Sequence, residues 1–129
     1  MVFMKAIKIT IPIELKSEMN IRKKHWGVEH GRVKALKKAI QHFCGPFDLK
    51  SISLPVRVTL CRHSPRKLDF DNLVGCFKPI RDQIADLIIP GKAPGRADNH
   101  PDLHFEYGQE KSKEKYVSIS ILPLNKYHD

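Results

Sequence analysis

Residues 54–88 read LPVRVTLCRHSPRKLDFDNLVGCFKPIRDQIADLI, and the change of hydrophobic period inside them decides the fold. Leu54–Arg62 alternates, with Val56, Val58 and Leu60 on one side and Arg57 and Thr59 on the other. Period two over that length predicts a strand. Over residues 72–88 the apolar positions recur at helical spacing instead. At about 100° per residue, Leu73, Phe77, Ile80, Ile84 and Leu87 form one stripe, and Asp71, Gly75, Lys78, Asp82 and Asp86 lie opposite. A half-buried strand therefore runs directly into an amphipathic helix. Pro79 falls inside that helix, where it removes a donor and crowds the carbonyl of Gly75, so a kink or restart is expected there.

The same reading extends outward. Lys5–Ile13 alternates through Ile7, Ile9, Ile11 and Ile13 and predicts a first strand. Residues 14–31 are polar and irregular and read as a loop. Arg32–Phe43 carries Val33, Leu36, Ile40 and Phe43 at helical spacing against Lys34, Lys37, Lys38 and Gln41, and Gly45-Pro46 stops that helix. Ile89–Pro101, with Gly91, Pro94 and Gly95, reads as a loop. Leu103–Tyr107 and Tyr116–Leu122 are two further strands, most simply a hairpin closed by the charged turn Gln109–Lys115. The expectation is a small α+β fold: one domain over residues 1–129, with a mixed sheet of about four strands and two main helices. No internal repeat or low-complexity tract interrupts it.

Composition bounds the function. A chain of 129 residues can bury roughly two-thirds of its unfolded surface without staples. The apolar stretch Val2–Ile13 is broken by Lys5, Lys8 and Thr10, so it reads as a strand and not as a membrane span or signal segment. Three cysteines, Cys44, Cys61 and Cys76, without a CxxC pair argue for reduced thiols and a cytoplasmic location. Seven histidines show no zinc-ligand spacing with them. The net charge of +9 is unevenly placed: residues 1–57 carry 12 Lys and Arg against 4 Asp and Glu, while six aspartates fall between residues 69 and 102. Such a basic half attracts a polyanion such as DNA or RNA by counterion release, although a solvated basic surface has the same composition.

Asp69 and Asp71 sit where the strand gives way to the helix. At strand spacing, side chains i and i+2 point the same way, so both carboxylates can face one cation. Oxygen ligands of this kind suit Mg²⁺ or Mn²⁺ better than zinc. A simpler use competes with this one. Asp71 is a good N-cap for a helix starting at Asn72, which explains one aspartate without any metal and leaves the other unexplained. Along the polar stripe, Gly75 leaves room for a phosphate or a metal. Lys78 and Asp82 form an i,i+4 pair, worth a few tenths of a kcal/mol.

The segments Arg66-x-Leu-Asp-x-Asp-Asn-Leu73 and Lys78-x-x-Arg-Asp82-x-Ile-Ala-Asp86 resemble the RusA family of Holliday-junction resolvases. So do Asn20-x-Arg22 with His25-Trp26, and Ala97-Asp98-Asn99-His100-Pro101 followed by Phe105-x-Tyr107-x-Gln109-x-Lys111. The four elements stand in order over about residues 5–122. The resemblance implies metal-binding aspartates at Asp69, Asp71 and Asp98, a catalytic lysine at Lys78, and support from Asp82 and Asn72. It implies a homodimer that cleaves four-way junctions and related branched DNA with Mg²⁺, Mn²⁺ being possible. Phosphate contacts would come from Arg22, Lys23, Lys24, His25, Arg32, Lys34, Lys37, Lys38, Arg66 and Lys67. Trp26 would stack on a nucleotide or anchor the core, and Phe105, Tyr107 and the cysteines would pack. This chain departs from the family pattern at Gly75, where some members place the lysine, and at Ala97 and His100, where acids are frequent. Residues 90–96 lengthen the adjoining loop. The other reading is a nucleic-acid-binding module of the same fold without efficient cleavage.

Overall fold

A computed structural model describes residues 6–16, 26–91 and 100–124. The elements run β1 (Ile7–Ile11), α1 (Trp26–Cys44), a short 3₁₀ turn (Leu49–Ser51), β2 (Val56–Ser64), α2 (Phe70–Ile88), β3 (Leu103–Lys111) and β4 (Tyr116–Pro123). Among the described residues, two helices and a four-stranded mixed sheet make a small α+β fold, as the alternating and helical periods predict. Among the described residues no helix is long and apolar enough to cross a membrane.

The sheet order is β1-β4-β2-β3. β4 runs antiparallel to both β1 and β2, whereas β2 and β3 are parallel, with Val56 opposite Leu103 and Ser64 opposite Lys111. The expected β3–β4 hairpin is therefore absent: β2 lies between the two strands. β2 has ladder partners on both edges, β4 on one and β3 on the other, and its last three residues Arg62, His63 and Ser64 are all buried. The four residues 112–115 step across its end, where the Ser112 amide donates to the Ser64 carbonyl at 3.0 Å. Two strand spacings are about 10 Å, within reach of four extended residues. Gln109, placed by the sequence in a turn, is consequently a β3 residue.

Alternation gives the sheet two unlike faces. Ile9 and Ile11 of β1, Val56, Val58 and Leu60 of β2, Leu103 of β3, and Val117, Ile119 and Ile121 of β4 join one buried cluster. Ile40 and Cys44 of α1 and Leu73, Phe77, Ile80 and Ile84 of α2 close it from above. The other face is polar. There His63, 8 % exposed, stacks on Tyr116 at 4.0 Å, meets Ser118 Oγ with Nε2 at 2.9 Å and lies 3.6 Å from Glu110 through Nδ1.

Two helix boundaries differ from the sequence reading. α1 begins by Trp26, inside the segment read as loop; Gly27 and Gly31 are weak helix formers, but extending an existing hydrogen-bond ladder costs less than starting one. It ends as expected, with the Gly45 amide donating to the Gln41 carbonyl at 3.0 Å. α2 runs on through Pro79 from Phe70 to Ile88 as one helix, without a restart.

Candidate functional site

The segment between β2 and α2 presents the carboxylate pair. Asp69 is the N-cap of α2, with φ −67° and ψ 162°, and its Oδ1 accepts the Asn72 amide hydrogen at 3.2 Å. The first helical bond follows from the Leu73 amide to the Asp69 carbonyl at 3.0 Å. The cap is thus Asp69 and not Asp71, which stands in the first turn of the helix. The pair does not share strand spacing either: Asp69 is extended and Asp71 is helical, so the two straddle the helix start. Both are exposed, and both gain from the positive end of the α2 dipole. Asn72 contributes through its backbone amide.

Phe70, between the two acids, is 64 % exposed and meets the Tyr107 ring edge to face at 6.4 Å. An apolar side chain this open beside two carboxylates is not expected from the sequence, where Phe70 precedes the apolar stripe of α2 by three residues. Tyr107 does more than pack: its hydroxyl accepts from Arg81 Nη1 at 2.8 Å, and the same guanidinium sits 5.0 Å over the Phe105 ring.

Further along α2, Lys78 is 70 % exposed, and its Nζ lies 3.8 Å from Asp82 Oδ2. The i,i+4 pair expected from spacing is present. Asp82 and Asp86, with Lys37 of α1, line a groove of about 280 Å³ between the two helices. Lys34, Lys37 and Lys38 project from the exposed side of α1, Arg32 is half-buried, and Arg66 and Lys67 are exposed immediately before the carboxylate pair. Arg22, Lys23, Lys24, His25 and Asp98 lie outside the described residues, as does the side chain of Trp26. Among the described residues no three His, Cys, Asp or Glu side chains come together as a metal site. His100 Nδ1 accepts the Asp102 amide hydrogen at 3.1 Å, and the Asp102 carbonyl accepts from Val56 at 2.9 Å.

Two residues that the sequence reading did not single out as functional hold the segment in place. Arg62, only 7 % exposed, donates from Nε to the Leu15 carbonyl at 2.8 Å and from Nη1 to the Arg66 carbonyl at 2.6 Å. Gln109 accepts the Leu68 amide hydrogen at 2.9 Å and donates to the Leu68 carbonyl at 2.7 Å. The alternation of β2 extends to Arg62, but Gln109 falls in the stretch that the sequence assigns to a turn, and a polar residue at an inward position does not announce its partner.

None of the three cysteines forms a disulfide, and the Cys76 thiol donates to the Leu73 carbonyl at 3.1 Å. Burial pushes the Cys44 thiol up to about 11. Cys61 is also raised, first by burial and then by the Glu110 charge, against a hydrogen bond from Ser118 that lowers it. Neither is a ready nucleophile; Cys44 and Cys76 pack in the core, whereas Cys61 is half-buried.

No family model matches the chain, and no curated protein matches it. Among solved structures it is similar to the GDP-form protofilaments of Bacillus thuringiensis serovar israelensis TubZ, at 12 % identity and a TM-score of 0.43. That match covers 94 % of this chain and 25 % of the TubZ chain, and so spans a quarter of its length. A likeness this weak carries no argument about function.

Proposed function

We propose that this chain is a metal-dependent endonuclease of the RusA type, cutting four-way junctions and related branched DNA. The observation that carries the reading is the exposed Asp69–Phe70–Asp71 segment at the positive end of α2, flanked by exposed Arg66 and Lys67. Carboxylates are oxygen-only donors and fit a hard cation such as Mg²⁺, or Mn²⁺ in its place. The Asn72 amide takes only Oδ1 of Asp69 among the described contacts, so the cap and a cation are compatible uses of one side chain. Asp98 would complete the ligand set. A bound ion of this kind acidifies water and offsets charge on a phosphoryl group.

The protein's own groups have separable tasks in that reading. Arg66 and Lys67 hold phosphates beside the carboxylates, while Lys34, Lys37 and Lys38 of α1 extend the basic surface. Phe70 offers an aromatic face on which an unpaired base can stack. Lys78 offsets charge developing on the phosphate after leaving Asp82, an exchange that costs little because exposed pairs are worth about 0–1 kcal/mol. Paired cuts on a symmetric junction need two sites related by a two-fold axis, hence a homodimer. The setting is the cytoplasm, in DNA recombination and repair.

A second reading, a DNA-binding module without efficient cleavage, is favoured by two contacts. Asp69 is used as a cap and Lys78 is paired with Asp82, so each has a structural use that needs no catalysis. Junction binding and junction nicking measured side by side separate the readings. The nuclease reading expects Asp71→Asn to bind the junction and not nick it.

A further inference from the structure

Arg62 of β2 and Gln109 of β3 are register partners on the helix-covered side of the sheet. Both turn their polar groups to the backbone of the segment that joins β2 to α2. Arg62 takes the Arg66 carbonyl. Gln109 takes both polar groups of Leu68, accepting from its amide and donating to its carbonyl. Leu68 belongs to neither β2 nor α2, so Gln109 does for it what a neighbouring strand does for a strand residue. The Leu68 side chain packs against the core on the same segment. Asp69 is the next residue, and its extended backbone turns directly into the helix that carries Asp71.

We propose that Gln109 is the positioning residue of the Asp69–Asp71 pair: through Leu68 it fixes the backbone that presents both carboxylates, and so sets how tightly they hold a divalent cation. The proposal rests on the reading that the pair binds such a cation. Its physical basis is distance. A cation requires its ligands at set separations, whereas an unsupported coil segment samples many. Removing an outer partner bonded directly to a ligand typically costs ~10–100-fold in metal affinity, and Gln109 acts one residue from Asp69, so the lower end of that range is expected. A carboxamide suits the task because it carries a donor and an acceptor side by side, matching one residue's N–H and C=O.

The test measures Mn²⁺ binding to the full chain by calorimetry in the absence of DNA. Five proteins are compared: wild type, Asp71→Asn, Gln109→Asn, Gln109→Leu and Ile119→Val. Gln109→Asn keeps the carboxamide but shortens its reach, so it reports on the contact even if Gln109→Leu fails to fold. Ile119 is fully buried in the core, so Ile119→Val is a general destabilisation away from the segment. The expected result is that wild type and Ile119→Val bind alike, Asp71→Asn does not bind, and Gln109→Asn binds at least tenfold more weakly than wild type. Wild-type affinity in Gln109→Asn, alongside loss in Asp71→Asn, overturns the positioning role and leaves the cation reading intact. Equal weakening in Ile119→Val and Gln109→Asn also overturns it, since stability alone would then explain the loss. No binding by wild type removes the cation reading, and the positioning role with it.

Discussion

Asp69 Oδ1 accepts the Asn72 amide hydrogen at 3.2 Å, so the first carboxylate of the candidate metal site is also the cap of α2. Charge and capping can be separated by substitution. Asn caps about as well as Asp, whereas Ala removes the acceptor at a typical cost of ~1 kcal/mol. Asp69→Asn should therefore keep nearly wild-type stability while losing metal-dependent nicking. Asp69→Ala should lose nicking and about 1 kcal/mol in urea unfolding. Equal stability of the two variants would show that the cap contributes nothing.

Arg62 is a buried cation that holds two loop carbonyls, those of Leu15 and Arg66. Replacing it with Met keeps apolar volume but strands both acceptors. Hydrogen bonds to charged groups are worth about 1.5–3 kcal/mol each, so losing both in Arg62→Met should cost roughly 3–6 kcal/mol of unfolding free energy. A loss below about 0.5 kcal/mol would place Arg62 among surface substitutions, contrary to its contacts.

The Cys44 thiol gives a pH signature. Its folded value is raised from 9.0 to about 11, so above pH 9 the unfolded chain releases a proton that the folded chain keeps. Stability linked to this group is full below pH 9 and is lost as pH rises toward 11. Wild type should lose more stability over that interval than Cys44→Val, which lacks the thiol. Parallel pH profiles would contradict the burial of Cys44.

Lys34, Lys37 and Lys38 share the exposed side of α1. If all three bind phosphates, their joint replacement by Gln should flatten the log–log dependence of DNA affinity on salt by about 0.9 for each phosphate no longer neutralised. Affinity should fall for every DNA sequence alike, because phosphate contacts carry no sequence information. An unchanged slope would move the DNA-binding surface elsewhere.

Hydrophobic period made both helices and all four strands legible, because every element buries one face against a common core. Neighbour relations were less legible. Residues 112–115 are long enough for a hairpin loop and equally for a step over one strand, so loop length does not distinguish the two. The cap position was missed by two residues because Asp69 and Asp71 are chemically equivalent; what distinguishes them is the bond from the Leu73 amide to Asp69. Gln109 was out of reach for another reason. It grips a backbone 41 residues away, and a main-chain partner leaves no mark in side-chain patterns. The exposed chemistry of Asp69, Asp71, Lys78 and Asp82 was legible, but residue types give their positions without saying what they act on.

Metal-dependent cleavage of branched DNA at the Asp69–Asp71 pair is the proposal on which the nicking predictions depend. Its most direct measurement incubates the purified chain with a synthetic four-way junction, each strand end-labelled in turn, in Mg²⁺ and then in excess chelator, with Asp71→Asn alongside. Nicks are expected in Mg²⁺ at symmetric positions on two opposed strands, none in chelator, and none from Asp71→Asn although that variant still shifts the junction in a gel. Cleavage by Asp71→Asn at the wild-type rate, or a junction bound by wild type and left intact in both Mg²⁺ and Mn²⁺, would contradict it.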